Sequence, residues 1–265
     1  MQKTFDSSTE LDTTQQQTSL KVLLIGESCR DEYRYGVCNR VSPEAPVPVL
    51  DFVKEKVSYG MASNVKNNLE SFGITVDFLS NKPEDIIRRR FVDLKCHQQL
   101  MREDIDNHIK PLVPQSFGEY DAVVFSDYNK GLINEEFISF VLSRVDCPVF
   151  VDTKKKDLTA YNNCIIKINK KEYDESVSIP SNSELIVTLG SEGVYHQEKT
   201  FPTPKVDVYD VTGAGDVFLS TLVYTYLKTK DFNLSIPESI KMATRSVQHA
   251  GTYTLTQDDI NEIRS

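Results

Sequence analysis

Short apolar runs recur along the chain, and most of them stop at a polar residue or a glycine. The first is "LKVLLIGE" (20–27); "ITVDFLS" (74–80), "YDAVVFSD" (120–127), "CPVFVD" (147–152), "NCIIKIN" (163–169) and "ELIVTLG" (184–190) follow. Runs of this length read as buried strands. Between them lie segments with helical character: "ASNVKNNLESFG" (62–73), "NEEFISFVLSRV" (134–145), "AGDVFLSTLVYTYLKT" (214–229) and "PESIKMATRSVQHAG" (237–251). Strands alternating with helices predict an α/β fold with a mostly parallel sheet. Ligands of such sheets bind beyond the carboxyl ends of the strands. Glu27, Asp127, Asp152, Asn169 and Gly190 stand at those ends and are the first places to look.

One segment breaks the pattern. "YRYGVCNRVSPEAPVPVLDFVKEKVSYG" (33–60) has three prolines, alternating valines and no helical period. It reads equally as strands leaving the main sheet to form a lid, or as an ordinary edge hairpin.

The totals narrow the class. The 265 residues suffice for one large domain or two small ones, and 39% hydrophobic with 26% charged residues fits a globular protein with a core. A net charge of -9 disfavours a general nucleic-acid binder, although a local pocket can still be basic. Five cysteines, an odd number with no C-x-x-C pair, argue for a reducing cytoplasm and against a disulfide framework or a zinc site. The four histidines (His97, His108, His196, His249) show no ligand spacing. No apolar run is long enough to span a bilayer. Residues 1–19 lack an apolar signal core and are rich in Gln, Thr and Ser, which predicts a disordered tail or linker ahead of a domain over 20–265.

The chemistry concentrates in "DVTGAGD" (210–216). Glycines allow a tight turn with uncovered N–H groups, and a helix N-terminus attracts anions. A carboxylate there, Asp216, can take a proton from a hydroxyl while N–H groups hold the charge on a transferring phosphoryl group. Taken alone, the same residues are an acid in the first turn of a helix, which stabilises by about 0.3–1 kcal/mol. "INKKE" sets Asn169 and Glu172 one turn apart, a pair suited to a hydrated Mg²⁺ near phosphates or simply to a capped surface helix. "VTLGSEGVY" (187–195) offers Thr188, Gly190 and Gly193 as a turn open to a flat ligand, or as a plain hairpin turn. Asp31 in "GESCRDEY" and Gly60 and Asn64 in "YGMASNVKNN" can meet sugar hydroxyls, or be a turn residue and a hinge. No G-x-x-x-x-G-K-[ST] loop occurs, which excludes an ordinary P-loop enzyme.

Taken together, "GESCRDEYRYG…RVSPEAPVPV", "YGMASNVKNNLESFG", "HQQLMRED", "FSDYNKGL", "VFVDTKKKDLTAY", "INKKEYD" and "YDVTGAGDVF" resemble, in order and spacing, the PfkB (ribokinase-like) sugar kinases. Within that family they are most similar to the D-glycero-β-D-manno-heptose 7-phosphate kinases of lipopolysaccharide precursor synthesis. The resemblance covers roughly 20–265 and implies a ribokinase-like fold: a central, mostly parallel sheet flanked by helices, with a small β-strand lid at 33–60.

The resemblance also implies roles. Asp216 is the catalytic base, and Gly213, Ala214 and Gly215 form the anion hole. Asp210 and Thr212 lie where some members bind a monovalent cation such as K⁺. Asn169 and Glu172 match the Mg²⁺/phosphate motif, with Glu172 holding Mg²⁺ through water. Thr188, Gly190 and Gly193, with Gly251 in the loop 249–253, line the site for ATP. Asp31, Gly60 and Asn64 face the sugar. Lys130, Arg102 and the run Arg88-Arg89-Arg90 are candidates for a substrate phosphate, although at least two of that run are expected on a solvated face. The implied enzyme is cytoplasmic, binds neither nucleic acid nor membrane, and forms a homodimer through the lid strands. Alternatives are a PfkB kinase for a different sugar and an idle sugar- or nucleotide-binding relative.

The chain departs from the family at two places. Gly60-Met61 stands where the family has Gly-Gly, so a side chain enters the sugar region. "FLSNKPEDIIRRRF" (78–91) is short, where relatives carry about 25 further residues, roughly one βα unit.

Overall fold

The computed structural model describes residues 19–264; apart from Ser19, the predicted tail lies outside the described residues. The chain opens with β1 (Lys21–Gly26), then the long pair β2 (Ser28–Val41) and β3 (Pro48–Met61), and α1 (Ala62–Ser71). There follow β4 (Thr75–Leu79), β5 (Ile86–Asp93), β6 (Gln98–Asp106), β7 (Ala122–Asp127), α2 (Glu135–Leu142) and β8 (Val149–Thr153). The remainder holds β9 (Ile165–Asn169), α3 (Lys170–Glu175), β10 (Glu184–Thr188), β11 (Val194–His196), β12 (Lys199–Phe201), α4 (Ala214–Thr229), α5 (Phe232–Ser246) and α6 (Gln257–Arg264).

Eight strands form the main sheet, in the order β12-β11-β10-β9-β8-β7-β1-β4. Its six apolar runs pair in parallel, while β11 and β12 close one edge antiparallel. Both faces of the sheet are covered. On β1, Val22 and Leu24 pack with α1, α4 and α5, while Leu23 and Ile25 pack with α2. This is the alternation that a strand buried on both faces requires. α4 runs through the middle of one layer, and every residue from Asp216 to Thr225 is buried.

The segment 33–60, read as a lid or an edge hairpin, is not an edge hairpin of the main sheet but leaves it for a second one. β2 and β3 pair antiparallel in a separate four-stranded sheet of order β3-β2-β5-β6. The segment predicted to be merely short supplies β5, which follows β4 after one 3₁₀ turn at Pro83–Asp85. β5 pairs in parallel with β2, and β6 pairs antiparallel with β5. These two strands were not expected from the sequence. Only Glu27 separates β1 from β2, and β3 runs directly into α1, so the lid is rooted at the carboxyl edge of the main sheet.

α5 begins earlier than predicted. Asp231 caps it, accepting from the Asn233 N–H at 2.8 Å, and Pro237 lies inside the helix rather than at its start. No helix among the described residues is long and apolar enough to cross a membrane.

Candidate active site

The parallel strands bring Glu27, Asp127, Asp152, Asn169 and Thr188 to one edge of the sheet. The N-termini of α1 and α4 meet there. Gly213 precedes α4 with φ of +80°, a left-handed conformation natural to glycine. A side chain at Gly213 would lie 2.7 Å from the Asn64 amide nitrogen, so the missing Cβ also lets α1 approach the turn.

Asp216 is 4% exposed. Its Oδ2 accepts from Asn64 Nδ2 at 2.9 Å, and its Oδ1 accepts from the Tyr128 hydroxyl at 3.1 Å. Both partners come from other elements, so this carboxylate is no simple helix cap. Burial pushes its pKa up to about 6, aided by the nearby Asp152 and opposed by Asn64, Lys167 and Tyr128. A carboxyl with that value is ionised at neutral pH yet basic enough to accept a proton.

Beside it lies a charged cluster in which Asp152 and Glu172 meet two lysines that the sequence motifs did not single out. Lys167, 3% exposed, donates to Asp152 Oδ2 at 2.6 Å and reaches under Gly215, where a Cβ would stand 3.0 Å from its ammonium. Lys154 pairs with Glu172, lies 3.9 Å from Asp152 and sits over the Tyr128 ring. Burial works against the Lys154 charge, but Asp152, Glu172 and Asp216 outweigh it and raise its pKa. The only sequence signal for Lys167 was a lone cation inside an otherwise apolar strand.

Asn169 and Glu172 form a reciprocal capping box. Asn169 Oδ1 accepts from the Glu172 N–H at 2.9 Å, and Glu172 Oε2 accepts from the Asn169 N–H at 2.8 Å. Glu172 also holds Lys154, so direct metal ligation would break that ion pair, whereas contact through water would not. No group of three or more metal-ligating side chains occurs among the described residues. This donor set suits a hydrated Mg²⁺ carried largely by phosphates.

On the far side of the Gly213–Gly215 turn lies a cavity of about 530 Å³. Thr188, Gly190, Gly193, Ala214 and Gly215 line it, with apolar walls from Val208, Phe218 and Ile240. Gly251 is not part of that lining. Its N–H donates to Asp210 Oδ2 at 2.8 Å, while Asp210 Oδ1 accepts from the Thr212 N–H at 2.9 Å. Burial opposes the Asp210 charge, but these bonds and Arg90 prevail and hold its carboxyl below the ordinary value.

The lid side carries the remaining candidates. Asp31 on β2 is buried, and its Oδ1 accepts from Arg90 Nη1 at 2.6 Å. A Cβ at Gly60 would stand 2.3 Å from Asp31 Oδ2, so any side chain there would displace the Asp31 carboxylate. Met61 follows with φ of +57° and ψ of -133°, a conformation that suits glycine and strains other residues. Lys130 reaches Asp106 at 2.7 Å. Arg102 chelates Asp104 at 2.6 and 3.0 Å, with its side chain 46% exposed.

The arginine run is not on a solvated face. Arg88 is 5% exposed and pairs with Asp106 at 2.6 Å. Arg89 joins Glu32 at 2.6 Å and also Glu103, and Arg90 holds Asp31. The partners lie on β2 and β6, too distant in sequence for the run itself to reveal them.

Residues 156–261 match the family model described as pfkB family carbohydrate kinase. Bifunctional protein HldE of a Nitratiruptor species is 33% identical over 298 aligned positions, covering 91% of this chain and 64% of that protein. The chain thus spans just under two thirds of that relative's length. The alignment is longer than the 265 residues of the chain, so the relative carries residues that this chain lacks. Among solved structures, Arabidopsis thaliana ribokinase complexed with ribose and ATP superposes with a TM-score of 0.69 at 13% identity, over 92% of this chain and 98% of that one. Thermotoga maritima ribokinase superposes with a TM-score of 0.67 at 16% identity, over 92% of this chain and 99% of that one. At such identities these two speak for the fold. Residues 156–261 thus match the PfkB carbohydrate kinase family model, within a chain whose fold is ribokinase-like.

Proposed function

We propose that the protein is an ATP-dependent sugar kinase whose acceptor is a sugar phosphate, a heptose 7-phosphate by its motifs, giving the 1,7-bisphosphate. One observation carries the reading: a buried, ionisable Asp216 at the N-terminus of α4, between a nucleotide-sized cavity and the root of the lid. Asp216 takes the proton of the acceptor hydroxyl. The freed oxygen bonds to the γ-phosphorus as the bond from that phosphorus to the β–γ bridging oxygen breaks, and ADP leaves with the electron pair. The N–H groups of Gly213 and Gly215 are assigned to the transferring group, while that of Ala214 donates to the Val211 carbonyl, and Lys167 beneath Gly215 adds positive charge. Glu172 would hold Mg²⁺ through water, and the ion would supply charge neutralisation on the phosphates. Asp210 and Thr212 are assigned to a K⁺ that steadies the turn.

Asp31, Gly60 and Asn64 form the sugar side, with Arg88, Arg90, Arg102 and Lys130 as the cations available to a substrate phosphate. Lid strands expose Val41, Phe52, Val53 and Val57, which supports a homodimer formed through this sheet. A second reading, a kinase for another sugar, is favoured by Met61 and by the residues that the relative carries and this chain lacks.

The test is a Mg²⁺-ATP screen of heptose 7-phosphate beside pentose and hexose phosphates and free sugars, with Asp216→Asn as control. The expected result is sugar-dependent ADP formation that falls by about 10²–10⁴ in the variant. Turnover of an unphosphorylated sugar would move the assignment to the second reading. Persistence of the wild-type rate in Asp216→Asn would remove Asp216 as the base.

A further inference from the structure

Glu27 follows the end of β1 with its side chain buried. Its carboxylate collects three N–H groups of one loop: Oε2 accepts from Tyr128 at 2.8 Å, and Oε1 from Lys130 at 3.0 Å and Leu132 at 3.2 Å. Burial and the neighbouring Asp127 push its pKa up, against these three bonds. Asp127 anchors the same loop from below. It accepts from the Asn129 N–H, Thr153 Oγ1 and the Tyr161 hydroxyl at 2.9, 3.1 and 2.6 Å, and from the Lys155 ammonium. A loop clamped by two buried carboxylates delivers one side chain to the base, the Tyr128 hydroxyl at 3.1 Å from Asp216 Oδ1.

The other oxygen of the base meets a different kind of partner, and its identity follows from a chain of bonds. The Leu255 backbone N–H can only donate, and it points at Asn68 Oδ1 at 2.9 Å. Asn68 Nδ2 therefore faces Asn64 Oδ1 at 3.3 Å, which turns Asn64 Nδ2 toward Asp216 Oδ2. An amide NH₂ donates and never accepts, so it favours the carboxylate alone. A phenol hydroxyl donates to a carboxylate and, once turned, accepts from a carboxylic acid.

We propose that Tyr128 is a positioning residue for the base, held in place by Glu27, and that Asp216 receives the substrate proton on Oδ1, the oxygen facing Tyr128. The proposal rests on the reading of Asp216 as the base of a kinase. The acceptor O–H bond breaks and an O–H bond forms at Oδ1 as the acceptor oxygen joins phosphorus. The Tyr128 hydroxyl then turns from donor to acceptor, and the proton passes to water after product leaves. The groups facing Asp216 are Asn64 from α1, Tyr128 from the clamped loop, Asp152 and Lys154 from β8 and its end, and Lys167 from β9.

Two measurements on the full chain test this, one of them independent of turnover. Carboxyl-¹³C aspartate NMR follows the Asp216 titration, assigned by its loss in Asp216→Asn, in wild type and Tyr128→Phe. Removing one donor from the carboxylate moves that titration to higher pH, and with substrate the acid limb of kcat/KM moves the same way. kcat falls about tenfold, as for loss of a bond to a charged group, with little change in the KM for ATP. Glu27→Gln, which weakens the clamp, shifts the titration in the same direction. Full incorporation of 3-fluorotyrosine, a more acidic phenol and stronger donor, shifts it to lower pH, and this arm stands even where Tyr128→Phe fails to fold. An Asp216 titration unmoved by the Tyr128→Phe and fluorotyrosine changes overturns the proposal. Absence of turnover in the wild type with a normal titration shift overturns the kinase reading and leaves the Tyr128–Asp216 contact standing.

Discussion

The two sheets of this molecule are held together in opposite ways. In the main sheet the strands are apolar on both faces, and the two apolar clusters that flank it contain nearly all of the core. Among the described residues, the lid sheet places Cys29 and Ile86 in one of those clusters, with Met61 packed against it. Its inner strands are tied by Arg88, Arg89 and Arg90 to Asp31, Glu32, Glu103 and Asp106, while Phe52, Val53 and Val57 remain exposed. A close-packed sheet fixes atoms to within fractions of an ångström, which suits the base and the anion-binding turn. A sheet joined by ion pairs presents charges that a bound phosphate can re-partition, which suits recognition. On the proposed reading, the base and the anion-binding turn lie with the first sheet, and the groups assigned to acceptor choice, apart from Asn64 and Lys130, lie on the second.

Three changes test that division. Phe150→Ala in the main sheet, at a fully buried ring, is expected to destabilise the domain by about 3–5 kcal/mol, read by denaturant melts. Arg90→Met strands the buried Asp31 carboxylate. It is expected to raise the sugar KM by about tenfold or more while leaving the ATP KM near its original value. If it lowers stability as much as Phe150→Ala and spares the KM, the division fails. Arg102→Ala removes a half-exposed pair with Asp104 and should change stability by less than about 1 kcal/mol, so any rise in sugar KM reports contact with substrate. Independently of the lid, the acid limb of the rate profile should fall near pH 6. On the proposed reading Asp216 acts as a base only when ionised, and its raised pKa means that protonation removes activity as pH drops through about 6.

The sequence made the main sheet legible because strands buried on both faces leave uninterrupted apolar runs. It hid β5 and β6 because "IIRRRFVD" and "QQLMREDID" carry charges whose partners lie on other strands. Pro237 obscured the start of α5, since a proline usually marks a first turn, whereas here Asp231 supplies the cap. In the site, Asp216 and Asn64 were visible because each belongs to a local motif. Tyr128, Lys154 and Lys167 become meaningful only when β7, β8 and β9 lie side by side. The pair Asn169–Glu172 was read with two meanings, and its observed bonds are those of the cap, with Lys154 added.

Met61 joins the lid to α1 on a backbone conformation that costs a residue with a side chain about 1–3 kcal/mol. Three positions along is Asn64, the amide that holds the base. Glycine at position 61 would release that strain in exchange for the packing of the Met61 side chain against the apolar cluster and, on the proposed reading, would also reshape the sugar side. Heat tolerance and acceptor range would then answer to the same codon. A laboratory selection for survival at high temperature would alter which sugars are taken, without ever having been shown one.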